Sequence, residues 1–196
     1  MTFNKTDSEI IIVSGLPRSG TSLMMKMLAT GGIPLLVDQV READEDNPNG
    51  YFELEEVKQL KDGNSAWLSE AKGKAVKVIA PLLQFLPKDY KYKIIFMRRA
   101  MPEILASQKQ MLIRRGKDID GVPDETMARI FDKQVNEILA WINASPNAMS
   151  LEIPFTEVIA NADLFIDKIK LFLQLELDME KMAQVINPNL YRQRVS

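Results

Sequence analysis

The stretch IIIVSGLPRSGTSLMMKMLATGG, residues 10–32, decides the fold. It opens on a β-branched run, and residues 9–14 read as a strand buried on both faces. Gly15 and Gly20, five residues apart, bound a loop. A helix follows from about 21 to 29, closed by Gly31 and Gly32. Strand, glycine-bounded loop and helix N-terminus make a phosphate cradle. The glycines let backbone N–H groups face an anion, and the helix dipole favours negative charge there. Two hydroxyls, Thr21 and Ser22, follow the second glycine. The lysine of a Walker loop is absent: Thr21 takes its place, and the positive charge sits two residues before the glycine, on Arg18. A glycine turn that holds no ligand is the alternative. It leaves the arginine and the two hydroxyls at the same turn unexplained.

Outside this stretch, strands are expected at 75–79, 92–97 and 150–153. Helices are expected at 52–60, 66–71, 101–115, 123–143, 162–173 and 179–185, with loops at 33–51 and 116–123. Strands alternating with helices imply an α/β three-layer sandwich with a central parallel sheet and a P-loop NTPase-like topology. Ligands in such a fold bind beyond the carboxyl ends of the strands. The 196 residues fit one domain, with a helical C-terminal part from about 123. With 25 basic and 27 acidic residues, the chain lacks the concentrated positive field of a nucleic-acid binder. It contains no cysteine, so disulfides, thiolate metal sites and a Cys nucleophile are excluded. It contains no histidine, so acid–base chemistry falls to Asp, Glu, Lys or Tyr. No signal peptide and no apolar run of about 20 residues is visible, so a cytoplasmic protein without a membrane span is expected.

Pro17-Arg18-Ser19-Gly20-Thr21 after a strand resembles the 5′-phosphosulfate loop of the sulfotransferase superfamily. Tyrosylprotein and many bacterial sulfotransferases carry these residues, and cytosolic ones carry Lys in place of Arg. A second segment, Lys93-Ile-Ile-Phe-Met-Arg98-Arg99 through Ser107, is similar to the superfamily's strand ending in Arg with a Ser eight residues on. The resemblance implies a co-substrate, 3′-phosphoadenosine 5′-phosphosulfate (PAPS), and no metal. Pro17, Arg18, Ser19, Gly20, Thr21 and Ser22 would hold the 5′-phosphosulfate. Arg99 and Ser107 would grip the 3′-phosphate, an arginine fork being suited to it. Arg98 stands beside Arg99 and is an alternative for the same place. Arg18 would stabilise charge on the bridging oxygen as the bond to sulfur breaks.

Lys77 matches the superfamily's strand-end Lys, or is a solvated edge lysine. Ile79 stands where cytosolic enzymes have their catalytic His. The resemblance therefore implies a carboxylate base, as in tyrosylprotein and heparan sulfate sulfotransferases. Asn47-Pro-Asn-Gly-Tyr-Phe-Glu53 resembles a segment of bacterial sulfotransferase-like proteins, which makes Glu53 the first candidate and Glu42 the second. The candidate catalytic set is Arg18, Glu53 and Lys77. The cytosolic enzymes' C-terminal Arg-Lys-Gly segment is absent; Arg192 and Arg194 in the tail are candidates to replace it, the alternative being a disordered terminal tail. The expected function is sulfuryl transfer to a hydroxyl or amine acceptor. A P-loop kinase or NTPase and a non-catalytic nucleotide-binding protein of the same fold remain as alternatives.

Overall fold

The computed structural model describes residues 9–38, 40–41, 44, 47, 50–116 and 121–187. Four strands, β1 (Glu9–Gly15), β2 (Ala75–Lys77), β3 (Lys91–Arg98) and β4 (Ala148–Pro154), form one parallel sheet in the order β2-β1-β3-β4. The chain leaves β1 for one neighbour, β2, then crosses to the other, β3. The strand order therefore switches at β1, and the crevice beyond its carboxyl end is the expected ligand position.

The pleat sorts alternate residues to opposite faces. Ile10, Ile12, Ile94 and Phe96 enter one core, and Ile11, Val13, Ile95 and Met97 enter the other. The second core takes α1 (Thr21–Thr30) through Met24, Met25, Met27 and Leu28, together with α4 (Phe155–Ala160), α5 (Ala162–Leu173) and α6 (Met179–Gln184). The first core takes Ile104 of α2 (Met101–Arg114) and Val135, Ile138 and Ile142 of α3 (Asp124–Ala144). Helices thus cover both faces of the sheet. Each fully buried side chain of this kind contributes roughly 1.5–3 kcal/mol. Between residues 124 and 184 the regular elements are helices except for β4, which pairs with β3 over seven positions.

Several elements differ from the sequence expectation. The segments expected as helices at 52–60 and 66–71 are 3₁₀ helices at Glu55–Asp62 and Ala66–Ser69. The strand expected at 75–79 stops at Lys77, because the chain turns into a third 3₁₀ helix, Ala80–Phe85, with Pro81 in its first turn. The short helix α4 has no counterpart among the expected elements.

Lys93, on the α5 face of β3, is buried. Its Nζ donates to the carbonyl oxygen of Leu173 at 2.7 Å and pairs with Glu9 at 3.2 Å. One ammonium thus satisfies a C-terminal carbonyl of α5 and joins β1 to β3, at the end of the sheet away from the phosphate loop.

Candidate functional site

The loop between β1 and α1 is tightly folded. The Ser19 N–H donates to the Leu16 carbonyl at 3.2 Å, and Gly20 takes φ 100° as the residue before α1. A side chain at Gly20 would run into the Phe155 ring, so the helix start and the β4–α4 junction touch through the missing Cβ. Arg18 also sits in the left-handed region, at φ 72°, which costs a non-glycine residue about 1–2 kcal/mol. Contacts from α2 and from the end of β3 hold it there. Its Nε donates to Ser107 Oγ at 2.9 Å, and its carbonyl accepts from Arg99 Nη1 at 3.0 Å.

Arg99 is itself fixed from behind. Its Nε donates to Glu103 Oε2 at 2.8 Å, one helical turn along α2. Its guanidinium lies 4.8 Å from the Phe155 ring centroid. Arg98 points elsewhere: it pairs with Glu152 at 2.9 Å, exposed at the edge of the sheet. Of the two arginines considered, the structure brings Arg99 to the loop.

On the other side of the loop, Lys77 is only 8% exposed. It is not a solvated edge lysine. Its Nζ donates to Ser22 Oγ at 2.9 Å and to the Tyr51 carbonyl at 2.6 Å. Burial pushes its pKa down to about 8, and Arg41 and Arg18 act in the same direction against the opposing pull of Glu53. Asn47 Nδ2 also donates to Ser22 Oγ, at 2.7 Å. Glu53 pairs with Arg41 at 3.2 Å, and the Arg41 guanidinium stacks 3.3 Å over the Tyr51 ring. The Tyr51 hydroxyl donates to Asp44 at 2.7 Å, and the combined effect of burial and Asp44 raises its pKa.

These groups surround a cavity of about 440 Å³, within the range of ligand sites. Pro17, Arg18, Gly20, Thr21, Ser22, Glu53, Lys77, Arg99 and Ser107 all line it. Three cations and three hydroxyls on that wall are a donor set for phosphate oxygens, so the residues fit the expected co-substrate. Ser19 departs from the expectation. It is 1% exposed, lies beneath the loop, and its Oγ is directed at the space a Gly15 side chain would fill. Its N–H already closes the turn. Ile79, at the position of the cytosolic enzymes' His, lines the cavity too. Glu42, Arg192 and Arg194 lie outside the described residues.

Several lining or supporting residues carried no assigned role in the sequence. Glu103 follows Arg99 by four residues, a spacing that signals a helical ion pair. Phe155 gave no signal, because its partner Gly20 is far away in sequence. Asn47 lay inside the quoted segment before Glu53 without a role of its own. Among the described residues, no group of three or more Asp or Glu side chains is placed to hold a metal ion. No helix among the described residues is long and apolar enough to cross a membrane.

No protein-family model and no curated protein sequence matches the chain. Solved structures do. The mouse sulfotransferase SULT7A1 complexed with PAP aligns with a TM-score of 0.62 at 16% identity, over 100% of this chain and 70% of that one. The sulfotransferase domain from the curacin biosynthetic pathway aligns at 0.55 and 14% identity, over 91% and 78%. Retinol dehydratase in complex with androsterone and inactive cofactor PAP aligns at 0.50 and 14% identity, over 95% and 65%. The four-stranded parallel sheet, the helices on both its faces and these alignments agree: the chain adopts the fold of the sulfotransferase superfamily.

Proposed function

We propose that this chain transfers a sulfuryl group from PAPS to a hydroxyl or amine acceptor, with a carboxylate as base. One observation carries the reading. Arg99 and Ser107, from β3–α2, close directly on Arg18 of the phosphate loop. The two elements form one continuous wall of anion-binding groups. Both elements line the one cavity, as a donor phosphorylated at its 3′ and 5′ positions would need. Two neighbours of the same fold were crystallised with PAP, which supports the same donor here.

Each residue then has a chemical task. Arg99 and Ser107 bind the 3′-phosphate, and the loop binds the 5′ end. The acceptor's O–H or N–H proton passes to the Glu53 carboxylate as the acceptor–sulfur bond forms and the sulfur–oxygen bond to the 5′-phosphate breaks. Arg18 and Lys77 face the negative charge left on that phosphate. Glu53 lines the same cavity as Lys77, and Arg41 orients it. The reading joins donor and acceptor chemistry without histidine.

Titration calorimetry tests it: adenosine 3′,5′-bisphosphate against ATP with Mg²⁺. The bisphosphate is expected to bind tightly without Mg²⁺. Preference for ATP·Mg²⁺, with no dependence on a 3′-phosphate, would overturn the assignment. Bisphosphate binding without sulfuryl transfer to any of a broad set of alcohols, phenols and amines would reduce it to nucleotide binding.

A further inference from the structure

We infer that Asn47 is a positioning residue that turns the Ser22 hydroxyl into a one-way donor toward the ligand's 5′ phosphate. The inference rests on the donor reading above and concerns how the loop presents its groups.

A serine hydroxyl has two acceptor lone pairs and one hydrogen. At Ser22 both lone pairs are occupied. Lys77 Nζ donates to Oγ at 2.9 Å and Asn47 Nδ2 donates at 2.7 Å. An ammonium can only donate. The direction of the asparagine bond is fixed as well. The second hydrogen of Nδ2 goes to the Gly50 carbonyl oxygen at 2.6 Å, and a carbonyl can only accept. Nδ2 must therefore be the nitrogen, and the amide cannot turn over without placing two oxygens against each other.

The Ser22 hydrogen is left as the only hydrogen-bonding capacity of that hydroxyl, pointing away from both donors. No described residue accepts it, and Ser22 lines the cavity. The two donors fix the direction of the hydroxyl. The hydroxyl is ready to donate to an anion before the anion arrives, so binding need not reorient it. Asn47 thus links the segment before Tyr51 to the phosphate loop without itself lying on the loop.

A double-mutant cycle tests this with two probes, adenosine 3′,5′-bisphosphate and adenosine 3′-monophosphate. Asn47→Ala is expected to weaken the bisphosphate about fivefold, and less than about twofold when Ser22 is already Ala. The 3′-monophosphate, which has nothing at the 5′ end, should bind all four proteins alike. Equal losses in both backgrounds would mean Asn47 merely supports the backbone, and would overturn the inference. So would a loss shared by the 3′-monophosphate, or no loss at all. Asn47→Asp is a second variant that preserves size. Its carboxylate can only accept, so it draws the Ser22 hydrogen away and should weaken the bisphosphate more than Asn47→Ala does. Circular dichroism establishes that each variant is folded. A wild-type protein with no preference for the bisphosphate over the 3′-monophosphate would sink the donor reading itself. That result is distinct from a clear preference combined with a flat cycle.

Discussion

Arg99 donates from Nη1 to the carbonyl oxygen of Arg18 at 3.0 Å, so the residue expected to hold one phosphate also holds the backbone that cradles the other. Arg99 also lines the cavity, and Glu103 fixes the plane of its guanidinium through Nε. Arg99→Ala should weaken adenosine 3′,5′-bisphosphate by about 10- to 100-fold, a loss of charge-assisted bonds worth about 1.5–3 kcal/mol. Adenosine 5′-phosphate should lose much less. Arg99→Lys should not restore the difference, because an ammonium cannot reproduce the fork. Calorimetry with both ligands measures it, and equal losses for the two would refute the 3′-phosphate role.

Lys77 sets a pH dependence. Its pKa in the folded chain is about 8, against an ordinary 10.5. Between those values the unfolded chain keeps a proton that the folded chain has released. The contribution of this group to stability therefore rises with pH from about 8 to about 10.5. Ligand binding goes the other way. An anion next to Lys77 favours the ammonium, so bisphosphate affinity should fall as pH rises through about 8. Binding at pH 8 should take up protons, visible as a dependence of calorimetric heat on the buffer's ionisation enthalpy. Lys77→Arg should remove the proton uptake.

Glu53 is tested by separating binding from transfer. Glu53→Gln keeps the size and the place beside Arg41 but cannot accept a proton. Transfer should drop by about 10²–10⁴-fold, the usual contribution of a general base. Bisphosphate affinity should change by no more than about threefold. Transfer at close to the wild-type rate would place the base on another carboxylate.

Away from the site, Lys93→Met should lower stability by about 2 kcal/mol, since it removes the bond to the Leu173 carbonyl and the pair with Glu9. Urea unfolding measures the loss. Nucleotide affinity should not follow it, because Lys93 lies at the opposite end of β3 from Arg99.

The sequence made the long, strongly patterned elements legible. β1, α1, β3 and α3 all lie within about one residue of their expected ends, because apolar runs and glycine or proline boundaries mark them. The segments around Val57 and Trp67 carry the same apolar spacing whether the turn has three residues or 3.6, so their 3₁₀ character was hidden. Helix α4 is six residues long, too short for periodicity to register. At the site, the resemblance singled out Arg18 in the glycine-bounded loop, Lys77 and Arg99 at the ends of strands, and Ser107 eight residues after Arg99 within α2, and all four line the one cavity. Phe155 was not legible. It is an ordinary aromatic in its local sequence, and only the tertiary fold sets it against Gly20 and Arg99.

That contact has a consequence for the order of assembly. The glycine-bounded loop is complete in sequence by residue 22, yet one of its walls is a ring that arrives more than a hundred residues later. A chain still emerging from synthesis holds every residue of the loop with nothing behind Gly20. The cradle takes its final shape only when β4 adds to the edge of β3 and brings Phe155 into place, so a fragment ending before β4 would carry the motif without the pocket.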